Sequence, residues 1–145
     1  MSNIQEDKNL QPCKYGYVVV RKLPDGKYIP RVTWHQSSCI LKSKMHEWQQ
    51  AENREEELGK LGFLSTYIYW GWHVFHKLED AIEYTFDDKD CVIVEVQCAK
   101  PRKTGWLSFN EKPRKCSVFE MRRIEREITL HDIKQVNLVE EMVAV

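Results

Sequence analysis

Val18 and Val20 fall on one side of the segment Lys14 to Arg21, and Tyr17 and Val19 on the other, the two-residue period of a β-strand. Pro24-Asp25-Gly26 is a turn sequence, and Tyr28 to Trp34 reads as the returning strand of a hairpin. Pro30 within it points to an edge or a bulge. From Ile40 to Leu61 the spacing changes: Leu41, Met45, Trp48, Ala51, Leu58 and Leu61 form a loose helical stripe opposite Glu52, Glu55, Glu56 and Glu57. Gly59 and Gly62 supply its stop. Phe63 to Phe75 is aromatic-rich and β-like, interrupted by Gly71.

Lys77 to Phe86 carries Leu78, Ala81, Ile82 and Thr85 at helical spacing, which predicts a short helix closed by Asp87-Asp88. Cys91 to Cys98 is nearly continuous in β-branched residues, as expected of a central strand. Two further strands are expected at 115–121 and 123–130, and the segment after Asp132 fits either helix or strand. Residues 1–13 are polar and read as a flexible tail. The expectation is a single α+β domain over 14–145, mainly antiparallel sheet with two helices.

Composition narrows the class without touching chemistry. The chain has 145 residues, 42% of them hydrophobic and 30% charged, with 22 basic and 22 acidic side chains. That suits one domain with its own core and is too apolar for a disordered chain. A formal net charge of zero excludes a generally polycationic binder and still permits a local basic face. No apolar run approaches the roughly 20 residues that span a bilayer, so no membrane association is expected. The five cysteines form no CxxC pair, which argues against a cysteine-rich metal site. Met1 to Asp7 lacks the basic and apolar regions of a signal peptide, and free thiols in a reducing cytoplasm follow as the expectation.

Two groups of residues are candidates for function. Lys100-Pro101-Arg102-Lys103 and Lys112-Pro113-Arg114-Lys115 are one tetrapeptide written twice, with Trp106 and Phe109 between them. Cations alternating with stacking surfaces suit a phosphate backbone and unpaired bases. The same charges suit an acidic protein, and Lys-Pro pairs also keep ordinary strand ends soluble. The second group is dispersed: Trp34-His35-Gln36-Ser37, then Gly71-Trp72-His73-Val74-Phe75, Tyr84, and Glu127 on the segment 124–130.

The order of that second group resembles the catalytic domain of poly(ADP-ribose) polymerases and, more broadly, diphtheria-toxin-like ADP-ribosyltransferases. Trp34-His35-Gln36-Ser37 is similar to the family's Trp-His-Gly-Ser. Gly71-Trp72-His73-Val74-Phe75 through Tyr84 is similar to its Gly-Ile-Tyr-Phe-Ala motif and the tyrosine eleven residues later. Glu127, followed five residues on by Asp132-Ile133-Lys134-Gln135-Val136-Asn137-Leu138, looks like its terminal strand.

The resemblance implies an ADP-ribosyltransferase-like fold with NAD as co-substrate and ADP-ribose passed to a macromolecular acceptor or to water. It makes Glu127 and His73 the candidate catalytic residues, with Glu127 stabilising the cationic sugar as nicotinamide leaves. His35 would hold the adenosine-side ribose, Tyr84 would stack on nicotinamide, and Gln36 and Ser37 complete the cofactor-binding set. Gln36 stands where the family has glycine, and His73 where it has a stacking tyrosine. A looser likeness, over Gly16-Tyr17-Val18-Val19, Gly71-Trp72-His73-Val74-Phe75 with Glu79-Asp80-Ala81 and Tyr84, Val92-Ile93-Val94-Glu95-Val96 and Arg126-Glu127-Ile128-Thr129-Leu130, is to small uncharacterised phage and prophage proteins. It implies a viral accessory role in a host cytoplasm and carries no activity.

Overall fold

The computed structural model describes residues 4–31, 42–51 and 71–143. Its strands are β1 (Gln5–Glu6), β2 (Tyr15–Lys22), β3 (Tyr28–Pro30), β4 (Trp48–Gln50), β5 (Trp72–Phe75), β6 (Cys91–Phe109) and β7 (Lys112–Glu127). Its helices are α1 (Leu78–Tyr84) and α2 (Leu130–Val143). All seven strands join one sheet, and each strand pairing is antiparallel. Described strand residues outnumber helical ones by more than two to one, so the expected α+β, ADP-ribosyltransferase-like class is corrected to a mostly antiparallel β fold. No helix among the described residues is long and apolar enough to cross a membrane.

The β6–β7 hairpin is the spine of the fold. Its two-residue turn places Asn110 and Glu111 at φ 49° and 59°, the left-handed pair whose twist suits an antiparallel ribbon. Register shifts at Glu95/Val96 and Pro101/Lys103 mark bulges that bend it. The bent ribbon offers β2 the first half of β6 and offers β5 the first half of β7. β2 and β5 then meet each other at Tyr17 and Phe75, so β2, β6, β7 and β5 form a closed circuit of four strands. That contact is tight: a Cβ on Gly16 would lie 2.3 Å from Val74 Cγ1 and 2.6 Å from the Phe75 carbonyl oxygen.

Alternation along these strands produces two apolar faces. On the helix face, Val19, Phe75, Ile93, Cys116 and Val118 pack with Ala81, Leu78 and Ile82 of α1. On the valine face, Val18, Val20, Val74, Val94 and Val96 pack with Tyr28, Phe119 and Ile124. Burying a whole aliphatic side chain contributes about 1.5–3 kcal/mol, and five valines are the centre of the second cluster.

Several elements depart from the sequence reading. Residues 1–13 are not merely a tail: β1 pairs with β6, and Ile4, 1% exposed, is part of the helix-face core. The helical stripe expected over 40–61 is not helix where it is described, since Met45 bridges Ile124 and β4 pairs with β7. Its remainder, residues 40–41 and 52–61, lies outside the described residues, as do 63–70 of the β-like stretch and 32–34 of the expected returning strand. The strands expected at 115–121 and 123–130 are one strand, β7, and Cys91–Cys98 is only the first part of β6. After Ile128 the chain turns helical. Thr129 and Asp132 cap α2 reciprocally, with the Thr129 amide donating to Asp132 Oδ2 at 2.9 Å and the Asp132 amide donating to Thr129 Oγ1 at 3.2 Å. Those bonds, chiefly the amide of Thr129, pull the Asp132 carboxyl down to about 2.

Candidate functional site

Among the described residues, His73, Tyr84 and Glu127 do not gather around one point. Trp34, His35, Gln36 and Ser37 lie outside the described residues. Tyr84 is on the helix face, its ring 5.1 Å from those of Phe75 and Phe109 and 5.5 Å from that of Phe86. The Arg31 guanidinium lies 5.6 Å from the same ring. These contacts give Tyr84 a packing role. His73 belongs to the same side of β5 as Phe75, and its Nδ1 is 3.2 Å from the Gly71 carbonyl oxygen.

Glu127 is on the other side of the sheet. It ends β7 opposite Val94, a valine-face residue, and accepts hydrogen bonds from Tyr28 Oη and from Lys22 Nζ, the latter at 2.8 Å. The sheet therefore separates Glu127 from Tyr84 and His73. The segment resembling a terminal polymerase strand is also helical from Leu130 onward.

Glu127, Tyr28 and Lys22 tie the β2–β3 hairpin to the end of β7. The Lys22 ammonium, then the Tyr28 hydroxyl, hold the Glu127 carboxyl below the usual carboxylate range, while burial and then Glu127 raise the Tyr28 phenol to about 12. A depressed folded pKa gives stabilisation that is complete above the ordinary glutamate value of about 4.3 and lost as pH falls through the folded one. Glu127→Gln is expected to cost about 1 kcal/mol at pH 7. Its gap to the native protein should close in acid, as urea unfolding at both pH values will show; an unchanging gap refutes the ionic account.

The basic tetrapeptides prove unequal. Arg114, 2% exposed, is turned onto the helix face, where it donates to Asp80 Oδ1 at 3.0 Å and to Glu83 and lies 4.5 Å over the Phe109 ring. Its inclusion in an exposed anion-binding patch is thus corrected: it anchors α1 to the β6–β7 ribbon. Arg102 pairs with Glu120 at 3.7 Å and Lys103 with Glu6 at 3.4 Å. Lys115 stands directly across the ladder from Trp106, with Nζ 6.0 Å over the indole, whose Nε1 donates to Asp7 Oδ2 at 3.2 Å. Lys100 and Lys112 are exposed. No carboxylate forms a salt bridge with Lys100, Lys112 or Lys115 among the described residues.

No family model, curated protein or solved structure matches this chain. Its chemistry must be read from its own side chains.

The valine face holds polar groups that the sequence gives little hint of. Arg122 is 1% exposed and lies across the ladder from Cys98. Its guanidinium stacks 3.9 Å from the Trp72 ring, and Nη2 donates to Ser43 Oγ at 3.4 Å. Trp72 is itself fixed by Nε1 donating to the Gln49 carbonyl oxygen at 3.0 Å. Nearby, His76 Nε2 is 2.6 Å from Ser117 Oγ, which is 2.8 Å from Thr104 Oγ1. Strict alternation from Ser117 and Phe119 would put Met121 and Arg123 on this face, so the two-residue period alone does not reveal that Arg122 and Ile124 share it. Among the described residues no group of three or more histidine, cysteine or acidic side chains is placed to hold a metal ion.

Proposed function

We propose that this protein is a non-catalytic binding module that takes single-stranded nucleic acid along the β6–β7 hairpin. The observation that carries the reading is the cross-strand pair of Trp106 and Lys115, an indole surface beside a cation that forms no salt bridge among the described residues. Lys112, exposed at the turn, lies on the Arg114 side of the pleat across from Phe109 and adds a positive charge at the end of the hairpin, and Lys100 lies beyond the bulge. Lysines meet phosphates as point charges and indoles accept stacked bases, so the pair offers both halves of sequence-tolerant recognition. Arg114 is excluded from the binding set because Asp80 and Glu83 already hold it.

The NAD reading draws no support from the described geometry, since Glu127 and Tyr84 are on opposite faces. Anisotropy of a labelled single-stranded oligonucleotide tests the proposal. Affinity should fall with salt, and Lys112→Ala with Lys115→Ala should weaken it about tenfold at low salt while reducing the salt slope. Trp106→Ala should cost about 1–3 kcal/mol of binding. Affinity unchanged by all three substitutions overturns the reading. NAD-induced thermal stabilisation that disappears in Glu127→Gln would return the enzymatic alternative.

A further inference from the structure

Cys13 and Cys98 are 85 positions apart in the chain and adjacent in the fold. The Cys98 amide donates to the Lys14 carbonyl oxygen at 2.9 Å, which carries the chain before β2 alongside β6. Both cysteines are partly buried against the valine-face cluster, whereas Cys116 is fully buried. The surroundings of the pair are unusual for packing cysteines. On one flank is Arg122, buried and without a carboxylate partner among the described residues, its Nε unbonded. On the other is His76, fixed through Ser117 to Thr104.

A buried guanidinium costs several kcal/mol in desolvation unless an opposing charge or a full set of hydrogen bonds offsets it. Stacking on Trp72 and one long bond to Ser43 leave that cost partly unmet. Cys98 lies across the ladder from Arg122, and the guanidinium favours the charged form of that thiol. Each thiol is in turn the strongest influence on the other: Cys13 is driven well below the ordinary thiol range by Cys98 and then by His76, while Cys98 is driven up by Cys13 and by burial. His76 acts on Cys13 alone, which makes Cys13 the thiol better placed to attack.

We propose that Cys13 and Cys98 form a dithiol that exchanges reversibly with small-molecule disulfides, Cys13 attacking and Cys98 resolving. The Cys13 thiolate attacks one sulfur of a disulfide RSSR; the S–S bond breaks, a thiolate RS⁻ leaves, and a Cys13–SR mixed disulfide forms. Cys98 gives its proton to the departed thiolate and attacks the Cys13 sulfur, expelling the second RS⁻, which takes a proton from water. Two protein thiols are oxidised to one disulfide, and RSSR is reduced to two RSH.

Full-length protein incubated with mixtures of oxidised and reduced glutathione, quenched by alkylation and mapped by mass spectrometry, decides the matter. The native chain should lose two hydrogens and acquire a Cys13–Cys98 crosslink. Cys98→Ser should instead accumulate one glutathione adduct on Cys13, and Cys13→Ser should form neither product at Cys98. In the reduced native protein, iodoacetamide should label Cys13 at least tenfold faster than Cys91, whose thiol is raised by burial and by Asp88. Failure to form the crosslink at any glutathione ratio overturns the proposal. So does equal labelling of Cys13 and Cys91, or an adduct in Cys98→Ser spread over the remaining cysteines.

Discussion

Replacing Arg114 with methionine is expected to lower the unfolding free energy by about 3–5 kcal/mol, the largest effect of any single substitution proposed for this chain. Methionine keeps the aliphatic volume against Phe109 but leaves Asp80, 4% exposed, with no cation. The loss comes from the stranded carboxylate more than from the missing pair. A compensating change at Asp80 is the critical control. Arg114→Met combined with Asp80→Leu should recover most of the stability, because an apolar pair of similar volume has no charge to desolvate.

Glu83 adds a pH signature. Arg114 holds the Glu83 carboxyl below its usual range, so that share of the stabilisation is full above the ordinary glutamate value and lost as pH falls through the folded one. The difference between native protein and Arg114→Met should therefore narrow in acid. Urea unfolding of both proteins and the double variant at two pH values gives all three numbers. A single variant within 1 kcal/mol of the native protein refutes the anchoring role.

The second large effect is expected at Gly105, where β1 crosses β6. A Cβ there would stand 2.0 Å from the Gln5 carbonyl oxygen and 2.8 Å from Glu6 Cα, both backbone atoms that cannot step aside alone. Gly105→Val should detach β1, expose Ile4 and break the Lys103–Glu6 pair, costing about 3 kcal/mol, mostly through Ile4. Amide exchange should speed up in residues 4–7 and stay slow across the β2–β6 ladder. In a chain lacking residues 1–7 the same substitution should cost much less, since the atoms it collides with are gone. Equal cost in both backgrounds means that Gly105 is required by β6 itself.

How far the sequence discloses this fold depends on whether an element's pattern is local. β2 and α1 were legible because Val18 and Val20, or Leu78, Ala81 and Ile82, keep one period long enough to be seen. The legible part of β6 stops at Cys98 because Lys100-Pro101-Arg102-Lys103 and Gly105 look like loop. In fact Pro101 lies beside a bulge, Glu120 and Glu6 answer the cations, and Gly105 makes room for β1. Met45, Trp48 and Ala51 imitate helical spacing while belonging to short pieces laid along β7. β1 has only two residues and shows no period at all.

The site was less legible than the fold. Glu127 alternates with Ile124 and Ile128 as a surface carboxylate would, yet its partner Tyr28 is 99 positions away. Arg114 and Lys115 are neighbours in the same motif, and only the pleat assigns one to a buried ion cluster and the other to an indole on the outside. Cys13, Cys98 and Arg122 come from three separate regions, and no short-range pattern announces their meeting. An arginine in a run of β residues was the one available clue, since burial of such a charge asks for a reason.

The four-strand circuit also constrains how the polypeptide leaves the ribosome. Tyr15–Lys22 is made early, but the strand that zips along it, Cys91–Gln97, emerges some seventy residues later. Until then, among the described residues, its row of valines has only the small β3 piece and a single-residue pairing with β5 beside it. The β6–β7 ribbon, whose two arms are joined by a two-residue turn, assembles from local contacts and then captures the waiting N-terminal strand. Synthesis order and assembly order therefore run in opposite directions, and the newborn N-terminal half is the stretch most in need of shielding by a chaperone.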